Sequence, residues 1–225
     1  MNKILIDIND LPHSDIIWND KPRTRNQLHC RSTHISPFWN YARRIGYEQA
    51  CLDLQENSLV WQYEWANDCA KMSRAKSADM YLACDDFGTT RGSMINPATF
   101  DKAYMPFLAR FTDYCKRNNA LSVWHSCGDL RELLPLLARS DVDILWLDEL
   151  HLMGAIETRK TLGSKKVLWF SPKSTNELID AYPSWAMVNL KKCEVEGNLD
   201  WVLNHTLDMA NKANALITYN YEAIA

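Results

Sequence analysis

Glycine is scarce in this chain of 225 residues, which has only seven, and the glycine-rich motifs that hold phosphate groups are missing. Neither GxGxxG nor the GxxxxGK loop occurs, so a bound dinucleotide or nucleoside triphosphate is not expected. No apolar run approaches the roughly 18 residues that a membrane-spanning helix needs. The net charge of −3 provides no broad basic surface. We therefore expect neither a membrane nor a nucleic acid as partner.

Cysteine usage bears on the cellular compartment. The seven cysteines are an odd number and are scattered singly along the chain. The N-terminus, MNKILIDINDLPHSD, lacks the long apolar segment and the small-residue cleavage site of an export signal. Such cysteines are typical of reduced thiols in the cytosol, so we expect a cytoplasmic protein. Four of them fall within helix or strand patterns and are interpreted as packing residues: Cys51, Cys69, Cys84 and Cys115.

The chain changes character at residue 37. Residues 10–36 are polar and irregular and are predicted to form a loop, whereas short apolar runs alternate with amphipathic segments from residue 37 onward. We treat 1–225 as a single domain with an irregular segment over 1–36 and regular units over 37–225. The pattern predicts strands at about 79–84, 121–126, 143–148, 167–171 and 215–219. It predicts helices over 38–54, 57–76, 175–182 and 198–213, one beginning at Asn96-Pro97, one capped by Asp129 and one ending at Gly163.

Short apolar strands that are each followed by an amphipathic helix indicate an α/β fold with a parallel sheet. An open doubly wound sheet and a TIM-type (β/α)8 barrel both fit this alternation. A barrel gathers the carboxyl ends of all its strands around one mouth, whereas an open sheet spreads them along an edge. Polar residues follow five strands in succession, which favours the barrel: Asp85, Asp86, His125, Cys127, Asp148, Glu149, Ser171, Lys173 and Asn220.

His125 and Cys127 lie two residues apart at the end of a strand, in the stretch LSVWHSCGDL, and therefore point to the same face. Imidazole nitrogen and thiolate sulfur are natural zinc ligands. Two other interpretations remain open. Free cysteine is among the most buried residue types, so Cys127 would also fit a core residue. A catalytic thiol with an imidazole base ranks lower, because side chains at these positions are expected roughly 6–7 Å apart, too far for a direct hydrogen bond.

The order of motifs resembles the uroporphyrinogen decarboxylase superfamily, which contains haem-pathway decarboxylases and cobamide-dependent methyltransferases. The residues that carry the resemblance are DDFGT at 85–89, NP at 96–97, HSCG at 125–128, VDILWLDE at 142–149 and KVLWF at 166–170. The match covers 37 to about 180 and implies a (β/α)8 barrel. The arginine-rich segment with which the decarboxylases hold their substrate is not recognisable, so the methyltransferase branch is the nearer one.

In that branch the His-x-Cys pair binds zinc, which implies that His125 and Cys127 are metal ligands. The implied function is methyl transfer from a corrinoid to a thiol acceptor, with zinc as cofactor, a small-molecule substrate and a corrinoid protein as partner. Zinc would lower the pKa of the incoming thiol. As ligands of one ion, the nitrogen and the sulfur should lie within about 4 Å of each other.

The third ligand is open. A cysteine near the last strand supplies it in the family, but here Asn220 and Tyr221 follow that strand, and Cys193 precedes the last helix. Glu149 or Asp86 could substitute through a carboxylate oxygen. The candidate catalytic residues are Asp85, Asp86 and Glu149, although Asp85 and Asp86 would also fit a role in bonding loop amides.

Two alternative functions remain. One is a metal-free uroporphyrinogen decarboxylase that holds a tetrapyrrole with Asp85, Asp86 and Arg91. The other is a non-catalytic barrel fragment. Counted against the family, the strand at 79–84 is about the fourth and that at 215–219 the eighth, whereas a barrel typically needs roughly 250 residues. We therefore expect an N-terminally truncated barrel whose free edges cause poor solubility or homo-oligomerisation through 1–36, which size-exclusion chromatography tests.

Overall fold

The structure, a computed structural model, describes residues 16–18, 28–72, 77–163, 166–170, 186–189 and 216–218. Its centre is a sheet of eight strands. The strands are β1 (Ile16–Trp18), β2 (Leu28–Ile35), β3 (Met80–Cys84), β6 (Leu121–Ser126), β7 (Ile144–Leu147), β8 (Val167–Phe170), β9 (Ala186–Asn189) and β10 (Leu216–Thr218). A small antiparallel hairpin of β4 (Gly88–Thr89) and β5 (Gly92–Ser93) stands apart from this sheet.

The eight strands are ordered along the sheet as they are along the chain, and every ladder between neighbours is parallel. The predicted parallel arrangement of the five apolar strands is thereby confirmed. Connections between parallel strands are right-handed. When each strand is added on the same side of the previous one, the connecting helices therefore all lie on one face of the sheet. A doubly wound sheet would reverse direction part-way. The order is consistent with a partial TIM-like fold. Within the described strands no ladder joins β10 to β1, so a closed barrel stays a prediction.

The helices lie between successive strands. Helices α1 (Pro37–Ile45), α2 (Tyr47–Glu56) and α3 (Leu59–Met72) connect β2 to β3, and α4 (Pro97–Thr99), a π-helical turn (Phe100–Tyr104) and α5 (Met105–Arg117) lead into β6. Helix α6 (Leu134–Arg139) precedes β7, and α7 (Leu150–Met153) and α8 (Ala155–Leu162) precede β8. Gly46, at φ +91°, divides the single helix predicted over 38–54 into two. No helix in the described part of the chain is both long and apolar enough to cross a bilayer.

Alternation along the strands separates two apolar clusters. Odd positions of β3 and even positions of β6, such as Tyr81 and Trp124, belong to the large cluster beneath the helices. The opposite face carries a smaller cluster that is also fully or almost fully buried: Cys30, Met80, Leu82, Val123, Ile144 and Trp169. This second face, which we call the inner face, is the one a barrel would enclose.

The described strands differ from those predicted from the sequence. The segment 10–36 is not a continuous loop, because it contains β1 and β2. In β2, polar residues separate Leu28, Cys30 and Ile35, so it lacks the continuous apolar run that was taken as the signal of a buried strand. Among the described strands, that at 80–84 is the third of the sheet and that at 216–218 the eighth, where the sequence predicted about the fourth and the eighth. β9 was not predicted, and the helices predicted over 175–182 and 198–213 lie outside the described residues.

Asp129 also has a different role from the one predicted. Helix α6 begins only at Leu134, with no side-chain cap. The Asp129 carboxylate instead accepts a hydrogen bond from the Arg131 amide and forms an ion pair with the Arg131 guanidinium, which lowers the pKa of Asp129. Asp129 thus closes a local turn before the helix rather than capping it.

The predicted cap at Asn96 is present, since its side-chain oxygen accepts a hydrogen bond from the Thr99 amide at 2.8 Å. We expect Asn96→Ala to lower the free energy of unfolding by about 1 kcal/mol. Ser36 precedes α1 without a capping bond from its side chain, so Ser36→Ala is the matched control and should change little. Urea denaturation of both variants measures the difference, and equal losses would contradict the assignment.

Candidate metal site at the strand ends

The candidate site lies where β3, β6 and β7 end side by side. Cys84 pairs with His125, and His125 pairs with Trp146, in the parallel ladders. Side chains on the inner face at these positions, and two residues further along, therefore meet at one place. Five potential ligands are brought together there: Cys84, Asp86, His125, Cys127 and Asp148.

His125 is held in one orientation by its neighbour in the ladder. Its Nδ1 lies 3.2 Å from the Trp146 carbonyl oxygen, and its ring lies against the Trp146 indole at 4.7 Å between centroids. Because a carbonyl only accepts hydrogen bonds, we assign the ring proton to Nδ1, which leaves the Nε2 lone pair available. Metal-binding histidines are commonly oriented by a backbone carbonyl in this way.

The free nitrogen faces a sulfur and an oxygen. His125 Nε2 lies 3.4 Å from Cys127 Sγ and 3.6 Å from an Asp86 carboxylate oxygen. The first distance confirms the predicted separation of less than about 4 Å. Ligand atoms at the corners of a tetrahedral zinc site are about 3.3–3.8 Å apart, as bond lengths of about 2.0–2.3 Å require. The spacing around Nε2 therefore matches the edges of such a tetrahedron.

Two groups of three ligand atoms share His125. One contains Cys127 and Asp148, the other Cys84 and Asp86, and within each group all three atoms lie within 4.8 Å of one another. The Trp146 indole N–H donates to Asp148 Oδ1 at 2.6 Å and so fixes that carboxylate. Asp148 was recognised in the sequence only as a polar strand end, and Cys84 was interpreted as a packing residue. Cys84 lies two residues before Asp86, and Asp148 lies two residues after Trp146. This spacing places each pair on the same face of a strand and was the available signal in the sequence.

The turn that carries Cys127 is held by two carboxylates. Asp86 Oδ1 accepts a hydrogen bond from the Cys127 amide at 2.9 Å, and Glu149 accepts one from the Gly128 amide. Asp86 thus both faces the imidazole and positions the thiol. Glu149, a predicted third ligand, supports the turn instead and is absent from the groups of ligand atoms found in the described residues.

Asp85 does not face the site, contrary to the expectation that it lines the mouth beside Asp86. Consecutive residues point to opposite faces, and Asp85 is fully buried on the helix side. Its carboxylate accepts hydrogen bonds from the Phe38 and Trp39 amides, which begin α1, and from the Tyr104 hydroxyl at 2.7 Å. Burial raises the pKa of Asp85 to about 8, against the opposing effect of these donors. Asp85 thus holds the first turn of α1 against the end of β3.

The arrangement expected for a decarboxylase is not assembled either. Arg91 lies exposed on the β4–β5 hairpin, and Asp85 is hidden beneath α1. Asp85 is therefore not available to a tetrapyrrole bound beside Asp86. Cys193, Asn220, Tyr221, Ser171 and Lys173 lie outside the described residues.

The geometric reason for ranking a thiol–imidazole catalytic pair low is wrong. Cys127 follows the last strand residue, Ser126, and the chain turns at Gly128 (φ +82°), so the two side chains approach to 3.4 Å instead of 6–7 Å. Electrostatics still opposes a free thiolate. Burial, followed by the charges of Asp86 and Asp148, raises the pKa of Cys127 well above its usual range. A cation would reverse this preference.

Comparison with known proteins finds distant structural likenesses. No protein-family model and no curated protein matches the sequence. Among solved structures, the chain is similar to a methyltransferase from Methanosarcina mazei, with 14% sequence identity and a TM-score of 0.48. The similarity covers 87% of this chain and 53% of that one, so the chain spans about half the length of that protein. Membership of the uroporphyrinogen decarboxylase superfamily stays a prediction from the sequence motifs.

Proposed function

We propose that the protein binds zinc through His125 and Cys127 with a carboxylate oxygen, and that it transfers a methyl group from a corrinoid to a thiol. One observation carries the proposal. The oriented Nε2 of His125 lies 3.4 Å from Cys127 Sγ, with ligand atoms of Asp86 and Asp148 close by. Nitrogen and sulfur donors suit zinc, whereas magnesium and calcium prefer oxygen alone.

The residues present fit an open metal site. Catalytic zinc sites use three protein ligands and leave a fourth position for water or substrate. Cys127 and Asp86 are only partly buried, so a small molecule can reach them. When bound, zinc would lower the pKa of a substrate thiol and so generate a thiolate nucleophile.

The chain's own groups prepare this position. The Trp146 carbonyl sets the tautomer of His125, the Trp146 indole orients Asp148, and the Asp86 carboxylate holds the Cys127 amide. These contacts fix donor atoms before any ligand arrives, which reduces the ordering cost of binding. Cys127 must release its proton when it becomes a metal ligand, so binding should weaken as the pH falls.

Methyl transfer is the reaction favoured by the HSCG motif and the motifs around it, which resemble the methyltransferase branch. In the overall reaction a methyl-corrinoid and a thiol give a thioether, a proton and the demethylated corrinoid, which retains the electron pair of the broken carbon–metal bond. A corrinoid protein as methyl donor, a small-molecule thiol as acceptor and a cytoplasmic location belong to this proposal.

Metal analysis of the purified chain tests the site. We expect about one zinc ion per chain, lost in Cys127→Ser and retained in Cys51→Ser. Cys51 is the matched control because it is also a half-buried cysteine but lies on α2, away from the site. A wild-type chain without metal, or a Cys127→Ser variant that keeps it in full, would contradict the proposal.

The reaction itself is tested separately with the zinc-loaded protein. Demethylation of a methyl-corrinoid in the presence of a thiol should proceed with the wild type and fail with Cys127→Ser. Turnover of a porphyrinogen by a metal-free chain would instead assign the decarboxylase function. If neither reaction is detected and no metal is bound, the non-catalytic interpretation remains.

A further inference from the structure

Cys84 is the last residue of β3 and the ladder partner of His125. It lies on the inner face, half-buried, directly beside the imidazole. Its sulfur, an Asp86 oxygen and a His125 nitrogen all lie within 4.8 Å of one another. A thiol at this position therefore borders the same imidazole as Cys127, but from the neighbouring strand β3.

We propose that Cys84 is a second sulfur ligand of the metal held by His125 and Cys127. This inference rests on the proposed metal site: Cys84 would take the third protein position in place of a carboxylate, and the fourth position would stay open for substrate. Zinc forms its strongest structural and catalytic sites with thiolate and imidazole donors, and a thiolate next to the imidazole is preferred over a carboxylate that already has other partners. Asp86 Oδ1 accepts from the Cys127 amide, and Asp148 Oδ1 accepts from the Trp146 indole.

Metal binding would require the Cys84 side chain to move towards both other ligands. A sulfur and a nitrogen bound to one zinc ion are about 3.5 Å apart, and the present separation is at most 4.8 Å. Cys84 and Cys127 belong to different groups of ligand atoms, so the Cys84 sulfur must also approach the Cys127 sulfur. Rotation about the Cα–Cβ bond to another staggered rotamer moves the Cys84 sulfur without displacing β3. The parallel ladder between β3 and β6 fixes the backbones on which both ligands stand.

A second thiolate would change the chemistry of the site. A thiolate and a carboxylate carry the same formal charge, but the softer thiolate sulfur donates more electron density to zinc and leaves the ion effectively less positive. A substrate thiolate bound to the less positive ion keeps more of its electron density and so more of its nucleophilicity. The two-sulfur set suits transfer of an alkyl group to a thiol better than activation of water.

Cobalt(II) in place of zinc provides a direct readout of sulfur ligation, because each thiolate ligand adds near-ultraviolet charge-transfer absorbance. We expect Cys84→Ser to lose about half of this absorbance and to bind the metal roughly tenfold or more weakly. Cys51→Ser should change neither quantity. Circular dichroism checks that the serine variants are folded.

Alkylation of the wild-type chain gives a second measurement that needs no variant. Bound zinc should protect Cys84 and Cys127 from iodoacetamide, as mapped by mass spectrometry, and a chelator should restore their reactivity relative to Cys51. Unchanged absorbance in Cys84→Ser, with loss in Cys127→Ser, would overturn the role of Cys84 and leave the proposed site standing. A wild-type chain that binds neither zinc nor cobalt would overturn both.

Discussion

Gly128→Ala is expected to destabilise the protein by about 3–5 kcal/mol and to abolish metal retention, because no room exists for a side chain at this position. A Cβ atom there would lie 2.1 Å from the Gly88 carbonyl carbon and 2.5 Å from its oxygen. Both are backbone atoms, so no side-chain rotation relieves the clash. The HSCG turn and the DDFGT loop must separate, which removes the Asp86 contact to the Cys127 amide.

Gly154→Ala separates this clash from the cost of the backbone conformation. Gly154 has φ +79°, close to the +82° of Gly128, but a Cβ atom there meets nothing within 4 Å. It should therefore lose only about 1 kcal/mol. Urea denaturation of both variants gives the free energies of unfolding, and equal losses would show that the approach of the two glycines contributes nothing.

The sequence predicted what local patterns determine. The apolar run at 121–126 is a strand with the predicted bounds, and the alternation of strands with helices predicted the parallel direction. The strand β2 was missed because polar residues interrupt its apolar ones. The strand β9, AMVN, was missed because so short an apolar run does not distinguish a strand from part of a helix. Their place in the sheet is set by pairing with distant segments.

The residues of the candidate site also fall into those that the sequence indicates and those that only the structure reveals. His125 and Cys127 could be recognised because they are two residues apart, but Cys84 and Asp148 join them through the register of β3, β6 and β7. That register depends on contacts between segments about 20 to 40 residues apart, which a sequence pattern does not contain. Which of Asp85 and Asp86 faces the candidate site likewise depends on which of them lies on the inner face.

Asp85 leads to the second large effect, a loss of stability as the pH rises. Its folded-state pKa of about 8 lies above the value of about 3.9 expected in the unfolded chain. Between these values the folded state holds a proton that the unfolded state has released, so the free energy of unfolding falls with increasing pH. The contribution of this group is fully present below about pH 4 and is lost as the pH passes 8, with a slope of at most about 1.4 kcal/mol per pH unit.

Asp85→Asn should remove this slope, because an amide stays neutral throughout and its oxygen can still accept from the amides that begin α1. Asp101→Asn is the control: it makes the same substitution, but the Asp101 carboxylate is exposed and pairs with Arg139 at the surface. Urea denaturation at pH 5, 6, 7 and 8 (a range chosen to lie between about 3.9 and 8) should show the wild type and Asp101→Asn falling together while Asp85→Asn stays level. If all three fall in parallel, the buried carboxyl group under α1 is not the source, and the three donors around it must keep it ionised in the folded protein.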